Sequence, residues 1–172
     1  GSAIASGFEK ATGFSAVYVN CGDAAQVLSK AVLEKNKVQA DVLLGVDNNL
    51  INKARKENVL VSFKPEGADE VIPSELSDGL GGDWLLTPYD WSKFAIIYDT
   101  QSNTPAPKSL KDLTKSEYAK KLILMDPRTS TPGLGFAAWT IAVFGSDYER
   151  YWQELKPAVL TMASGWSSGY GL

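Results

Sequence analysis

The stretch PRTSTPGLGF, residues 127–136, gathers the groups best placed to do chemistry in this chain. It stands between LILMD, which reads as a strand, and AAWTIAVFG, which reads as a helix. A helix start leaves backbone N–H groups without partners and carries the positive end of the helix dipole. Ser130 and Thr131 add hydroxyls there, and Gly133 removes side-chain bulk. Pro132 suits the first turn, where its missing N–H would have had no partner. The pattern predicts a seat for a small anion. The same residues also make a plain Ser/Thr N-cap followed by proline. The GxxxxGK[ST] phosphate loop is absent, and no base stands beside Ser130 to turn it into a nucleophile.

Three further loops lie where a parallel sheet would present ligands, beyond the carboxyl ends of predicted strands. NCGDA at 20–24 offers Asp23 and Ala24, and GVDNN at 45–49 offers Asp47 with Asn48 and Asn49. Both aspartates are either hydrogen-bond acceptors for a ligand or caps of the helices that follow. ASGWSSGYG at 163–171 sets Trp166 and Tyr170 four residues apart among glycines. Such a pair suits a flat or cationic ligand, or simply packs between lobes. Asp90 and Trp91 either line a cleft or shape the segment that crosses between lobes.

Composition narrows the chemistry. The chain has 172 residues and a net charge of −3, a balance that argues against nucleic acid as the main partner. It has no histidine, which removes Ser-His and Cys-His catalysis and any His-ligated metal site. Cys21 is alone, so no internal disulfide forms, and a structural role is expected for it. The scattered acids between Glu66 and Asp78 do not match an EF-hand, and neither a metal nor a cofactor is expected. No apolar run is long enough to span a membrane. The opening Gly1-Ser2 reads as an expression remnant, so an original targeting segment is expected to have been removed.

These loops need elements to hold them. Residues 3–13 read as the end of a helix stopped at Gly13, and FSAVYVN as a strand. DAAQVLSKAVLEKNK reads as an amphipathic helix capped by Asp23, and ADVLLGV as a strand buried on both faces. NLINKARKEN follows as a helix capped by Asp47. Residues 61–90 read as surface loop with one helical turn. TPYDWSKFAIIYDT reads as a long crossing strand. A proline loop and a short helix capped by Ser109 come next, then strand LILMD, helix TPGLGFAAWTIAVFG, helix YERYWQELKP and strand AVLTM. The βαβ rhythm gives an α/β fold with a parallel sheet in each half, divided into 1–88 and 89–172. A strand is expected to have preceded the first helix.

Four segments in this order, ADVLLGVDNNL, PYDWSKFAIIYD, MDPRTSTPGLGFAAW and GWSSGYGL, carry a resemblance. Residues 3–172 resemble the thiamine-binding proteins of bacterial thiamine ABC importers, within the periplasmic solute-binding proteins. DPRTSTPGLG is the most specific piece. The resemblance implies a periplasmic-binding-protein-like fold with two parallel-sheet lobes and crossing hinge strands, each lobe incomplete and the chain truncated at both ends. It implies a binding protein, not an enzyme, that carries thiamine and thiamine phosphates to an inner-membrane ABC permease after export by a signal peptide. By position, Ser130, Thr131 and Gly133 match the loop for the phosphate, Trp166 a ligand-contacting aromatic, and Asp23 and Ala24 the loop near the aminopyrimidine. Asp47 matches the family's DNN element, and Tyr170 falls beside the aromatic site. Another small anionic or cationic solute on the same scaffold is the alternative. Incomplete lobes leave unpaired strand edges, so self-association by strand exchange is expected.

Overall fold

The computed structural model describes residues 2–172; Gly1, half of the dipeptide read as an expression remnant, lies outside them. Helix α1 (Ser2–Thr12) ends where the sequence predicts. Gly13 takes φ +77°, and its N–H bonds the Glu9 carbonyl at 2.8 Å. Helix α2 (Ala24–Glu34) starts at Asp23, whose backbone carbonyl accepts the N–H groups of Gln26 and Val27 at 2.9 and 3.1 Å. The Gln26 side chain reaches back to the Asp23 N–H at 2.9 Å. Helix α3 (Ile51–Glu57) stops at Asn58 in the left-handed region. Two short helices, α4 (Ala68–Val71) and α5 (Ser74–Gly79), occupy the stretch expected to hold one turn.

The second half is more regular. The expected short helix is a pair of 3₁₀ turns, Lys111–Thr114 and Ser116–Tyr118, and Ser109 Oγ accepts the Asp112 N–H at 3.2 Å. Strand β1 (Leu122–Met125) leads through the 126–130 turn into α6 (Thr131–Phe144). Helix α7 (Tyr148–Leu155) follows, then β2 (Val159–Ala163) and α8 (Trp166–Tyr170). β1 and β2 pair in parallel, with Leu122 opposite Val159 and Met125 opposite Ala163. A parallel pair needs a crossover, and α6 with α7 supplies it.

Two apolar clusters organise the chain. One joins Leu110, Leu113 and Tyr118 to Leu124, Tyr151 and Leu155. Its polar tips are satisfied: the Tyr151 hydroxyl donates to the Leu110 carbonyl at 2.9 Å, and Trp152 Nε1 donates to the buried Thr140 Oγ1 at 2.9 Å. The other is smaller and joins Ala24, Leu28, Leu50 and Ala54. Leu134, one turn into α6, packs against this second cluster and so links the halves.

The expected sheet of the first half is absent among the described residues. Segments 14–20, 40–46 and 87–99 form no strand, and the only sheet described has two strands. In the crossing segment, Ile96 packs on the larger cluster and the Phe94 ring lies over Gly135, while Ile97 faces solvent. Val17 is 84% exposed. The physical reason is that a strand is defined by its neighbour: without a partner, apolar alternation alone makes no ladder. Cys21 is half-buried, and its thiol lies 3.7 Å from the Val19 carbonyl. No described helix is long and apolar enough to cross a membrane.

Candidate functional site

The 126–131 turn is built by Asp126. Its carbonyl accepts the N–H groups of Thr129 and Ser130 at 3.2 and 2.9 Å, and its carboxylate accepts the Arg128 N–H at 2.9 Å. The Arg128 guanidinium closes on the same carboxylate, Nε lying 3.0 Å from Oδ1. These side-chain hydrogen bonds from Arg128, followed by its backbone N–H, hold the Asp126 carboxyl down at about 2. The only cation of the turn is therefore already paired. Thr129 Oγ1 donates to the Ser164 carbonyl at 2.6 Å, tying this turn to the one after β2.

Ser130 occupies the N-cap position of α6 with extended backbone, φ −121° and ψ 131°. A serine there ordinarily accepts an N–H of the first turn through its hydroxyl. This one does not: Ser130 is 1% exposed, and its Oγ has no hydrogen-bond partner. The neighbouring Thr131 Oγ1 is likewise buried and without a partner. Two adjacent orphaned hydroxyls cost roughly 1–3 kcal/mol each. They stand at the positive end of a 14-residue helix. Hydroxyls that can donate, at a helix start whose N–H groups point outward, are complementary to an anion with several acceptor oxygens.

Gly133 has a different local cause from the one its position suggested. A Cβ there would stand 2.4 Å from the Met125 carbonyl oxygen, so the glycine lets α6 pack closely on the end of β1. Pro132 sits in the first turn as expected.

The turn after β2 brings the aromatics. Trp166 and Tyr170 share one face of α8 and stack on each other, centroids 5.4 Å apart and planes 23° from parallel. Both are exposed, Tyr170 the more so. Asp23 joins this group: its Oδ2 accepts the Trp166 backbone N–H at 3.2 Å, 143 residues away in sequence. Ala24 is buried in the smaller cluster against which Leu134 packs. Ser130, Thr131, Asp23, Ala24 and Trp166 are thus linked through two hydrogen bonds and one apolar contact.

Asp47 is engaged elsewhere. Its Oδ1 accepts the N–H groups of Asn49 and Leu50 at 3.1 and 3.2 Å, and its Oδ2 accepts the Asn49 amide at 3.1 Å. It shapes the entry to α3. Trp91 is largely exposed on the crossing segment. No group of acidic or cysteine side chains able to hold a metal ion occurs among the described residues. Surface hollows of about 210 and 320 Å³ lie beside Arg55 and Asp83 and beside α7, and neither includes Ser130 or Thr131.

Sequence reasoning missed three features: the Asp126–Arg128 bracket, the Thr129–Ser164 tie and the close approach of Gly165 to Asp23. The first had a local signal, an aspartate two residues before an arginine in a proline turn. The other two are long-range and had none.

A family profile described as bacterial extracellular solute-binding protein matches residues 38–168. A "Thiamine-binding periplasmic protein" of Brucella abortus is 37% identical over all of this chain and half of its own length. The protein of the same description from Salmonella typhimurium is 35% identical over all of this chain and 51% of its own. A solved structure, "Periplasmic thiamin binding protein", superposes on the whole chain with a TM-score of 0.78 at 31% identity, and 52% of that structure is covered. A "Putative 2-aminoethylphosphonate-binding periplasmic protein" of Salmonella paratyphi A is 28% identical over 81% of this chain. The chain spans about half the length of the curated relatives it matches. It has the periplasmic-binding-protein fold, here with one formed parallel pair.

Proposed function

The chain belongs to the bacterial extracellular solute-binding proteins, and on that premise we propose that it binds thiamine and thiamine phosphates for delivery to an ABC permease. The observation that carries the reading is the pair of buried, unpartnered hydroxyls of Ser130 and Thr131 at the start of α6. Their need is met by the phosphate oxygens of a thiamine ester. Trp166, with Tyr170 beside it, offers an aromatic face to a cationic thiazolium. This reading gives the aminopyrimidine edge to Asp23 and Ala24, while Asp47 holds the entry to α3. Gly133 serves the site through the close packing that fixes the α6 start.

The lobes divide between residues 88 and 89 in this reading. Ligand is taken up between the halves, and closure on it is the form a permease recognises. The protein works outside the cytoplasm, binds without a cofactor and performs no reaction: Ser130 has no base to activate it. The exposed apolar segments 14–20, 40–46 and 87–99 lead this chain to associate with itself through strand pairing.

A second reading has one observation behind it. The solute in the description of one relative, 2-aminoethylphosphonate, also joins an anion to a cation. Titration calorimetry with thiamine, thiamine monophosphate, 2-aminoethylphosphonate and inorganic phosphate separates the two. Thiamine monophosphate is expected to bind most tightly. Preference for the phosphonate would replace this reading with the second, and phosphate release from the ester would count for an enzyme.

A further inference from the structure

We propose that Asp23 is a latch between the halves of the molecule, and that it acts on the ligand site by positioning Trp166. The backbone of Asp23 already serves α2: its carbonyl receives the first-turn N–H groups, and its own N–H is held by Gln26. The carboxylate is left to reach across to Trp166, the first residue of α8. An N–H at that position has no acceptor within its own helix. The carboxylate is therefore the partner that satisfies it, through a hydrogen bond strengthened by charge.

Gly165 makes the approach possible. Its backbone is extended, φ −171°, so conformation does not require glycine. Space does: a Cβ there would lie 2.8 to 2.9 Å from all three atoms of the Asp23 carboxylate. The Leu134 contact with the cluster around Ala24 forms an apolar base beside the latch. The Thr129–Ser164 bond joins the Ser130 turn to the same β2–α8 turn. One carboxylate thus fixes the register of both the aromatic and the hydroxyl parts of the site. The latch itself stands apart from ligand identity; its effect on thiamine rests on the function proposed above.

The test is amide hydrogen exchange of the ligand-free protein, read at the Trp166 N–H. Asp23→Ala should speed its exchange about tenfold, the scale of one hydrogen bond to a charged group. Asp23→Asn keeps an acceptor oxygen and should restore part of the protection. Gly165→Ala leaves Asp23 present but displaces its carboxylate, which swings away freely, and should match Asp23→Ala. Exchange at Leu28 and Leu155 should stay slow in all three. Unchanged Trp166 exchange in Asp23→Ala and Gly165→Ala would overturn the latch. In thiamine titrations Gly165→Ala should weaken binding severalfold although it deletes no ligand-facing group, and wild-type affinity in that variant would refute the positioning role. Failure of the wild-type protein to bind thiamine would count against the proposed function, while the exchange rates would still decide the latch.

Discussion

The Ser130 hydroxyl bonds nothing, although it stands where a serine ordinarily accepts an N–H of the first helical turn. The turn that presents it is set by Asp126 and Arg128, and this pair has its own pH signature. The Asp126 carboxyl is held at about 2 by Arg128, whereas in the unfolded chain it returns to the ordinary carboxylate value. The unfolded state therefore takes up a proton first as pH falls. The pair's contribution is present above about pH 4 and disappears as pH drops toward 2. Both side chains are in contact with water, which limits the effect. Arg128→Gln should flatten the acid limb of a stability–pH curve between those values. An unaltered limb in urea titrations at several pH values would show that the bracket does not hold the turn.

At the scale of elements, the start of α6 is fixed by backbone packing. Gly133→Ala drives a methyl group into the Met125 carbonyl, which cannot swing aside as a side chain can. Overpacking of this kind costs about 1–3 kcal/mol. Denaturant unfolding should show a loss of this size, and a loss under about 0.5 kcal/mol would mean that α6 shifts freely on β1. Elements with local signals were legible in the sequence. Asp23 announced α2, Gly13 the end of α1, Ser130 with Pro132 the start of α6, and two short apolar runs β1 and β2. FSAVYVN, ADVLLGV and the crossing segment carry the same kind of local pattern, yet none is a strand here. Pairing is a property of two segments, and composition reports on only one. The candidate site divides the same way. Ser130, Thr131 and the Trp166–Tyr170 pair could be picked out by residue type and spacing. The role of Asp23 could not, because its partner is 143 residues away. Asp47 shows the converse: DNN predicted a cap of α3, but the N-cap is Leu50, and the Asp47 oxygens are engaged in the turn just before it.

The whole molecule has two unequal cores joined at Leu134 and at Asp23. The segments that form no strand expose Phe14, Val17, Tyr18, Val42 and Ile97. Backbone edges and apolar side chains exposed together favour pairing with another chain. Light scattering should show mass rising above the monomer with concentration. A constant monomer mass at high concentration would remove self-association from this picture. The curated relatives are about twice this length, and the chain superposes over its whole length on half of one solved structure. The claim on which the rest depends is that the orphaned hydroxyls of α6 receive the phosphate of a thiamine ester. Titration calorimetry of Ser130→Ala against the unaltered protein, with thiamine and with thiamine monophosphate, tests it most directly. Ser130→Ala should bind the phosphate ester about tenfold more weakly and thiamine nearly unchanged, since one hydrogen bond to a charged group is removed. Equal affinity of the two proteins for thiamine monophosphate would contradict it.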